Sequence, residues 1–119
     1  MTMQLTNTHL HLRQGLLEYC VLHIISREEV YTSDLIDELT QAKILVVEGT
    51  VYPLLNRLKT ENLLSYRWVE ADEGPPRKYY SITEEGQVTL KTLAETWKGL
   101  VKSITQITKK KATSLSTTS

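Results

Sequence analysis

Three short stretches of helical apolar spacing, followed by two β-rich segments around a Gly-Pro-Pro turn, leave few folds open to this chain. Over about 10–26, Leu16, Leu17, Cys20, Val21 and Ile24 fall on one broad face at helical spacing. A second helix is expected after Tyr31, with Thr32, Ser33 and Asp34 offering N-cap oxygens and Leu35, Ile36 and Leu39 its apolar face. A third is expected over 49–62, where Val51, Leu54, Leu55 and Leu58 follow the i, i+3, i+4, i+7 rule. Pro53 is placed in its first turn, where a missing N–H costs little, and Asn62 suits a left-handed helix end.

Residues 63–70 and 77–82 carry Tyr66, Trp68 and Val69, then Tyr79, Tyr80 and Ile82, with Glu73-Gly74-Pro75-Pro76 between them. This reads as a hairpin with Leu64, Tyr66 and Trp68 on one face. Thr83 caps a long last helix over 83–108, and Glu84 and Glu85 suit its first turn. The expected fold is mainly α with a small β-hairpin: a winged helix-turn-helix followed by a long C-terminal dimerisation helix. The expected organisation is a disordered start over 1–9, a winged-helix domain over 10–83, the dimerisation helix over 84–108 and a disordered tail over 109–119.

In a helix-turn-helix the second helix of the pair docks in the major groove, here the one over 49–62. Opposite its apolar stripe lie Tyr52, Pro53, Asn56, Arg57 and Thr60. Asn pairs with adenine edges, Arg with guanine or phosphate, and Thr with either. Gly49 and Thr50 open the helix, where backbone N–H groups can meet a phosphate. Arg77 and Lys78 follow the two prolines at the tip of the wing.

Charge argues against this reading. The 14 Lys and Arg balance 14 Asp and Glu, so the net charge is zero, whereas non-specific DNA affinity comes from neutralising phosphates. Positive charge must therefore be concentrated locally. Glu70, Asp72 and Glu73 also place acid on the wing. A second reading stays open on composition alone, that of a winged-helix module binding other proteins and not DNA.

In the last helix, Leu90, Leu93, Ala94, Trp97, Leu100, Val101, Ile104 and Ile107 recur at spacings of three and four, a narrow heptad-like stripe. It runs ~21 Å from Leu90 to Ile104 at a rise of 1.5 Å per residue, more than so small a core covers. A C2 homodimer is the expected partner. Trp97 near such an axis either anchors the interface or lines a slot with Leu16 and Tyr19, open to a planar aromatic effector.

No catalytic or metal constellation is present in the sequence. His9, His11 and His23 show no ligand spacing with the single Cys20, which lies on the core stripe, and the five glycines form no phosphate loop. No cofactor and no enzymatic activity are expected. No apolar run approaches the ~20 residues of a membrane span, and residues 1–9 lack a signal-peptide pattern, so no membrane partner is expected and the cytoplasm is the expected location.

Three blocks of the sequence resemble the PadR family of bacterial transcriptional regulators. They are Gly15-Leu16-Leu17-Glu18-Tyr19-Cys20-Val21-Leu22, then Glu48 to Lys59 with Gly49-Thr50-Val51-Tyr52-Pro53 at its start, then Gly74-Pro75-Pro76-Arg77-Lys78-Tyr79-Tyr80 followed by Ile82 to Gly86. The resemblance spans about Leu12 to Ile107 and is to the branch with one C-terminal helix. It implies a dimeric repressor on a palindromic operator in double-stranded DNA, often released by a small ligand. It carries DNA contact onto Thr50, Tyr52, Asn56, Arg57, Arg77 and Lys78. The apolar run Ile44-Leu45-Val46-Val47 departs from the family's usual loop and is expected to pack against the last helix or the partner.

Overall fold

The computed structural model describes residues 2–44 and 48–110. Helix α1 spans Thr2–Arg27, strand β1 Val30–Tyr31, α2 Thr32–Gln41, α3 Glu48–Thr60, β2 Leu64–Val69, β3 Arg77–Ile82 and α4 Glu84–Lys109. Met1, the 111–119 part of the expected tail and Leu45-Val46-Val47 of the apolar run lie outside the described residues.

The core sits where α1, α2 and α3 meet the sheet. Val21, Leu22 and Ile25 of α1, Leu35 and Leu39 of α2, and Val51, Leu55 and Leu58 of α3 are all buried, with Leu64 and Tyr80 closing the group from the sheet. Each helical set repeats at three or four residues, so the buried stripes follow directly from the apolar spacing. Cys20 packs half-buried at the edge of this cluster. Ile44 also packs against it.

Four local features differ from expectation. First, α1 begins at Thr2 and not near Leu10, so the backbone over 2–9 continues the helix in place of a disordered start; once a helix is nucleated on its packed half, each further residue adds a hydrogen bond at little cost. Second, Tyr31 occupies the N-cap of α2 and no side chain caps it; Thr32, expected as a capping oxygen, is buried inside the helix. Third, α3 starts at Glu48, which puts Pro53 in the second turn. The ring there removes one backbone hydrogen bond, leaving the Gly49 carbonyl without its helical donor. Fourth, Val30 and Tyr31 add a strand, making a three-stranded antiparallel sheet in the order β1-β3-β2.

The hairpin register pairs Leu64 with Ile82, Tyr66 with Tyr80, and Trp68 with Lys78 on one face, and Arg67 with Tyr79 and Val69 with Arg77 on the other. Asn62 has φ 63° and Gly74 φ 90°, the left-handed values that end α3 and turn the wing. At the far end of the hairpin, Thr83 caps α4 by accepting from the Gly86 amide at 2.9 Å, and its hydroxyl donates to the Asn62 carbonyl at 2.7 Å. One side chain thereby ties the end of α3 to the start of α4.

Along α4, Leu90 and Leu93 pack against the core, whereas Leu100, Val101, Ile104 and Ile107 are 48–72% exposed. The Cα radius of gyration is 18.3 Å, against about 13.5 Å for a compact chain of this length. The excess reflects an elongated molecule of 66 × 32 × 22 Å, with the second half of the α4 stripe left uncovered by its own chain.

Candidate nucleic-acid interface

Helix α3 buries Val51, Leu55 and Leu58, and exposes Thr50, Tyr52, Pro53, Asn56, Arg57, Lys59 and Thr60. Its outer face is divided. Tyr52, Asn56 and Lys59 follow one another at helical spacing on the side toward the wing, and Lys59 Nζ lies 5.2 Å from the Tyr66 ring centroid. The Tyr80 hydroxyl is held above its usual range by burial, with Tyr66 and Tyr52 adding to the effect. Pro53 and Arg57 lie toward α1, where a cleft of about 650 Å³ is lined by Gly15, Glu18, Gly49, Thr50 and Arg57 among others.

Arg77 and Lys78 are neighbours in sequence but point to opposite faces of the wing, because side chains alternate along a strand. Lys78 shares the face of α3. Its Nζ lies 4.2 Å from the Tyr66 centroid and 5.1 Å from that of Trp68, and Trp68 is itself 61% exposed. Arg77 lies on the reverse, over the Tyr31 ring at 5.0 Å, beside Glu70, Asp72 and Glu73.

The basic residues divide by pairing. Arg67 is paired bidentately with Glu29, which holds the Glu29 carboxyl below the usual carboxylate range. Arg57, expected to contact guanine or phosphate, is engaged twice, by Glu18 of α1 at 3.2 Å and by Glu61 at 3.2 Å. Desolvation weighs on the Arg57 guanidinium, but the two carboxylates outweigh it and raise its pKa further. The sequence could not place Glu18 beside it, since the two are 39 positions apart and meet only by tertiary packing. Among the described residues, Lys59, Arg77 and Lys78 carry no such ion pair. Lys59 is the surface cation that the sequence reading missed; its spacing from Tyr52 and Asn56 was the available signal.

The model of the Transcriptional regulator PadR-like family matches residues 21–92, more than half of the chain. The chain belongs to the PadR-like family. The match takes in the end of α1, all of α2 and α3, the wing and the first part of α4. Solved structures agree. A PadR-like transcription factor from Bacteroides fragilis is 48% identical, with a TM-score of 0.74 over 85% of this chain and 98% of that one. A PadR-like transcriptional regulator from Bacillus cereus is 34% identical, with a TM-score of 0.77 over 85% and 99%. A PadR family transcriptional regulator from Eggerthella lenta is 31% identical, with a TM-score of 0.79 over 90% and 94%. The PadR-like chain is thus a DNA-binding transcriptional regulator built on a winged helix, and its family is not one of enzymes.

Within this PadR-like fold, two of the residues expected to line a slot, Tyr19 and Trp97, meet inside one chain. Trp97 stacks on Tyr19 of α1, with ring centroids 6.2 Å apart and an interplanar angle of 27°. Leu16, one turn earlier on the same side of α1, is 36% exposed. The Trp97 ring thus packs on α1 of its own chain. No helix among the described residues is long and apolar enough to cross a membrane.

Proposed function

We propose that this protein is a homodimeric repressor that binds a palindromic operator through α3 and the wing. The observation that carries the reading is the shared face of α3 and β3, where Lys59 and Lys78, without an ion pair among the described residues, flank Tyr66 beside exposed Tyr52, Asn56 and Trp68. A neutral chain needs such a local concentration of positive charge to hold phosphates. In this reading Asn56 and Tyr52 meet base edges, Thr50 at the start of α3 holds a phosphate, Lys59 and Lys78 supply the backbone contacts, and Arg57 is a base reader held between carboxylates. Arg77, on the reverse face, reaches DNA only from the tip of the wing.

The dimer is formed by α4. Leu90, Leu93, Ala94, Trp97, Leu100, Val101 and Ile104 line the stripe, and its exposed second half is the part a partner covers. A planar aromatic effector suits the Tyr19–Trp97 stack with Leu16 beside it. The protein acts where its DNA is, in the cytoplasm of a bacterial cell. The alternative of an interaction module without DNA binding draws on the zero net charge and the acidic wing; family membership favours the regulator.

The test is fluorescence anisotropy on duplex DNA with single variants. Lys78→Ala is expected to weaken binding to all sequences and to lower the log–log salt slope by about 0.9, one phosphate contact. Asn56→Ala is expected to cost ~1–3 kcal/mol on a selected sequence and to relax preference at one position. If neither changes binding, the assignment of α3 and the wing fails.

A further inference from the structure

The ion pair between Glu18 and Arg57 has no role in holding the core together. Both side chains are solvent-accessible, at 26% and 48%, and pairs of this kind contribute little to stability. Its position is more informative. Glu18 projects from α1 onto the flank of the helix that reads DNA, on the wall of the cleft that also holds Gly49 and Thr50. With Glu61 it surrounds one guanidinium by two carboxylates, Glu18 Oε2 near one Nη and Glu61 Oε2 near the other. The local charge is then −1, beside a surface that must approach a polyanion.

Two kinds of acceptor respond differently to that charge. A phosphate is an anion, so it is repelled by Glu18 and Glu61 and gains the guanidinium only by displacing one of them. A guanine edge presents the neutral acceptors O6 and N7. It can take the N–H groups that the carboxylates leave unused, since a guanidinium has five donors. We propose that Glu18 is a specificity-determining residue: its ion pair withholds Arg57 from phosphates while leaving Arg57 available to a base edge. The device works by opposing the wrong contact and adds nothing to the right one. It rests on the reading of α3 as the DNA-reading helix. It also accounts for an arginine on that helix being neutralised while Lys59 and Lys78, toward the wing, are not.

The experiment uses the full chain and two duplexes, one of mixed sequence and one selected from a random pool, titrated from about 50 to 200 mM salt. Glu18→Gln keeps the length of the side chain and removes its charge. It is expected to bind the mixed-sequence duplex roughly tenfold more tightly, with a salt slope steeper by about 0.9 as Arg57 gains a phosphate. Affinity for the selected duplex is expected to rise less, so that the ratio between the two falls. In an Arg57→Ala background the same substitution is expected to have little effect. Unchanged or weaker binding of Glu18→Gln to the mixed duplex overturns the proposal. So does an equal gain in the Arg57→Ala background, because removal of any negative charge would then explain it. If the wild type binds and Lys78→Ala weakens it while Glu18→Gln changes nothing, the role of Glu18 alone is overturned. If neither wild type nor Glu18→Gln binds duplex at the lowest salt, the DNA-reading assignment of α3 fails and this one falls with it.

Discussion

Trp97 of α4 and Tyr19 of α1 stack with their ring planes 27° apart, and this contact joins the last helix to the helix that carries Glu18. An aromatic pair of this geometry contributes about 0.5–1.5 kcal/mol beyond the area it buries. Trp97→Leu keeps an apolar side chain and loses the stack. Urea unfolding is expected to show a loss of about 1 kcal/mol, and an unchanged midpoint would show that the rings merely lie near each other. If a planar effector binds here, its saturable quenching of wild-type fluorescence should also vanish in the variant, with Trp68 as the remaining fluorophore.

Two glycines should respond in opposite directions to alanine. A Cβ at Gly15 meets Trp97 at 3.9 Å, an ordinary contact. Gly15→Ala is therefore expected to stabilise α1 by up to ~1 kcal/mol through helix propensity. A Cβ at Gly86 meets the Leu63 carbonyl oxygen at 2.1 Å and Ile82 at 2.6 Å. The carbonyl is held by the Thr83 amide at 3.1 Å and cannot move aside freely. Gly86→Ala is expected to destabilise by ~1–3 kcal/mol, the usual range for overpacking. Thermal unfolding of both variants checks the pair, and a neutral Gly86→Ala would contradict the close approach of the start of α4 to Leu63.

The fold was readable because most of its elements carry a period. Val51, Leu55 and Leu58 are at helical spacing and all three are fully buried; Leu64, Tyr66 and Trp68 alternate and share a face. What escaped has a physical reason in each case. Val30 and Tyr31 are too few to show alternation, and they become a strand only because Tyr80 and Tyr79 lie alongside. The candidate DNA surface was legible as a list of exposed polar residues on α3. Which cations carry free charge was not, because one of the two carboxylates on Arg57 comes from α1 and the one on Arg67 from Glu29, 38 residues away. The direction of Arg77 was hidden for a simpler reason: the hairpin register decides which of two adjacent residues faces α3.

The two halves of the α4 stripe should separate folding from assembly. Leu93 packs against its own core and Leu100 is 48% exposed. Leu100→Glu is expected to give a folded monomer by sedimentation, because the charge is buried only in the dimer. Leu93→Glu is expected to lose secondary structure as well, or to aggregate. A stable dimer of Leu100→Glu would place the interface elsewhere.

Cys20 offers a check on the packing of α1. Burial raises its thiol pKa above the ordinary value, which lowers its thiolate fraction relative to a free thiol. Alkylation by iodoacetamide is expected to be slower than for a free thiol, and to reach the free rate in urea. Rapid modification of the native protein would contradict the half-buried placement of this residue against the core.

The central claim is that two copies of α3, related by the symmetry of an α4 dimer, read one duplex. The most direct measurement is selection of bound sequences from a random double-stranded pool by the full chain. The expected result is an enriched palindrome whose half-sites are centred about 10 base pairs, or a whole multiple of that, apart, since successive major grooves on one side of the duplex are ~34 Å apart. Enrichment of an asymmetric sequence, or none above the starting pool at low salt, would contradict the account.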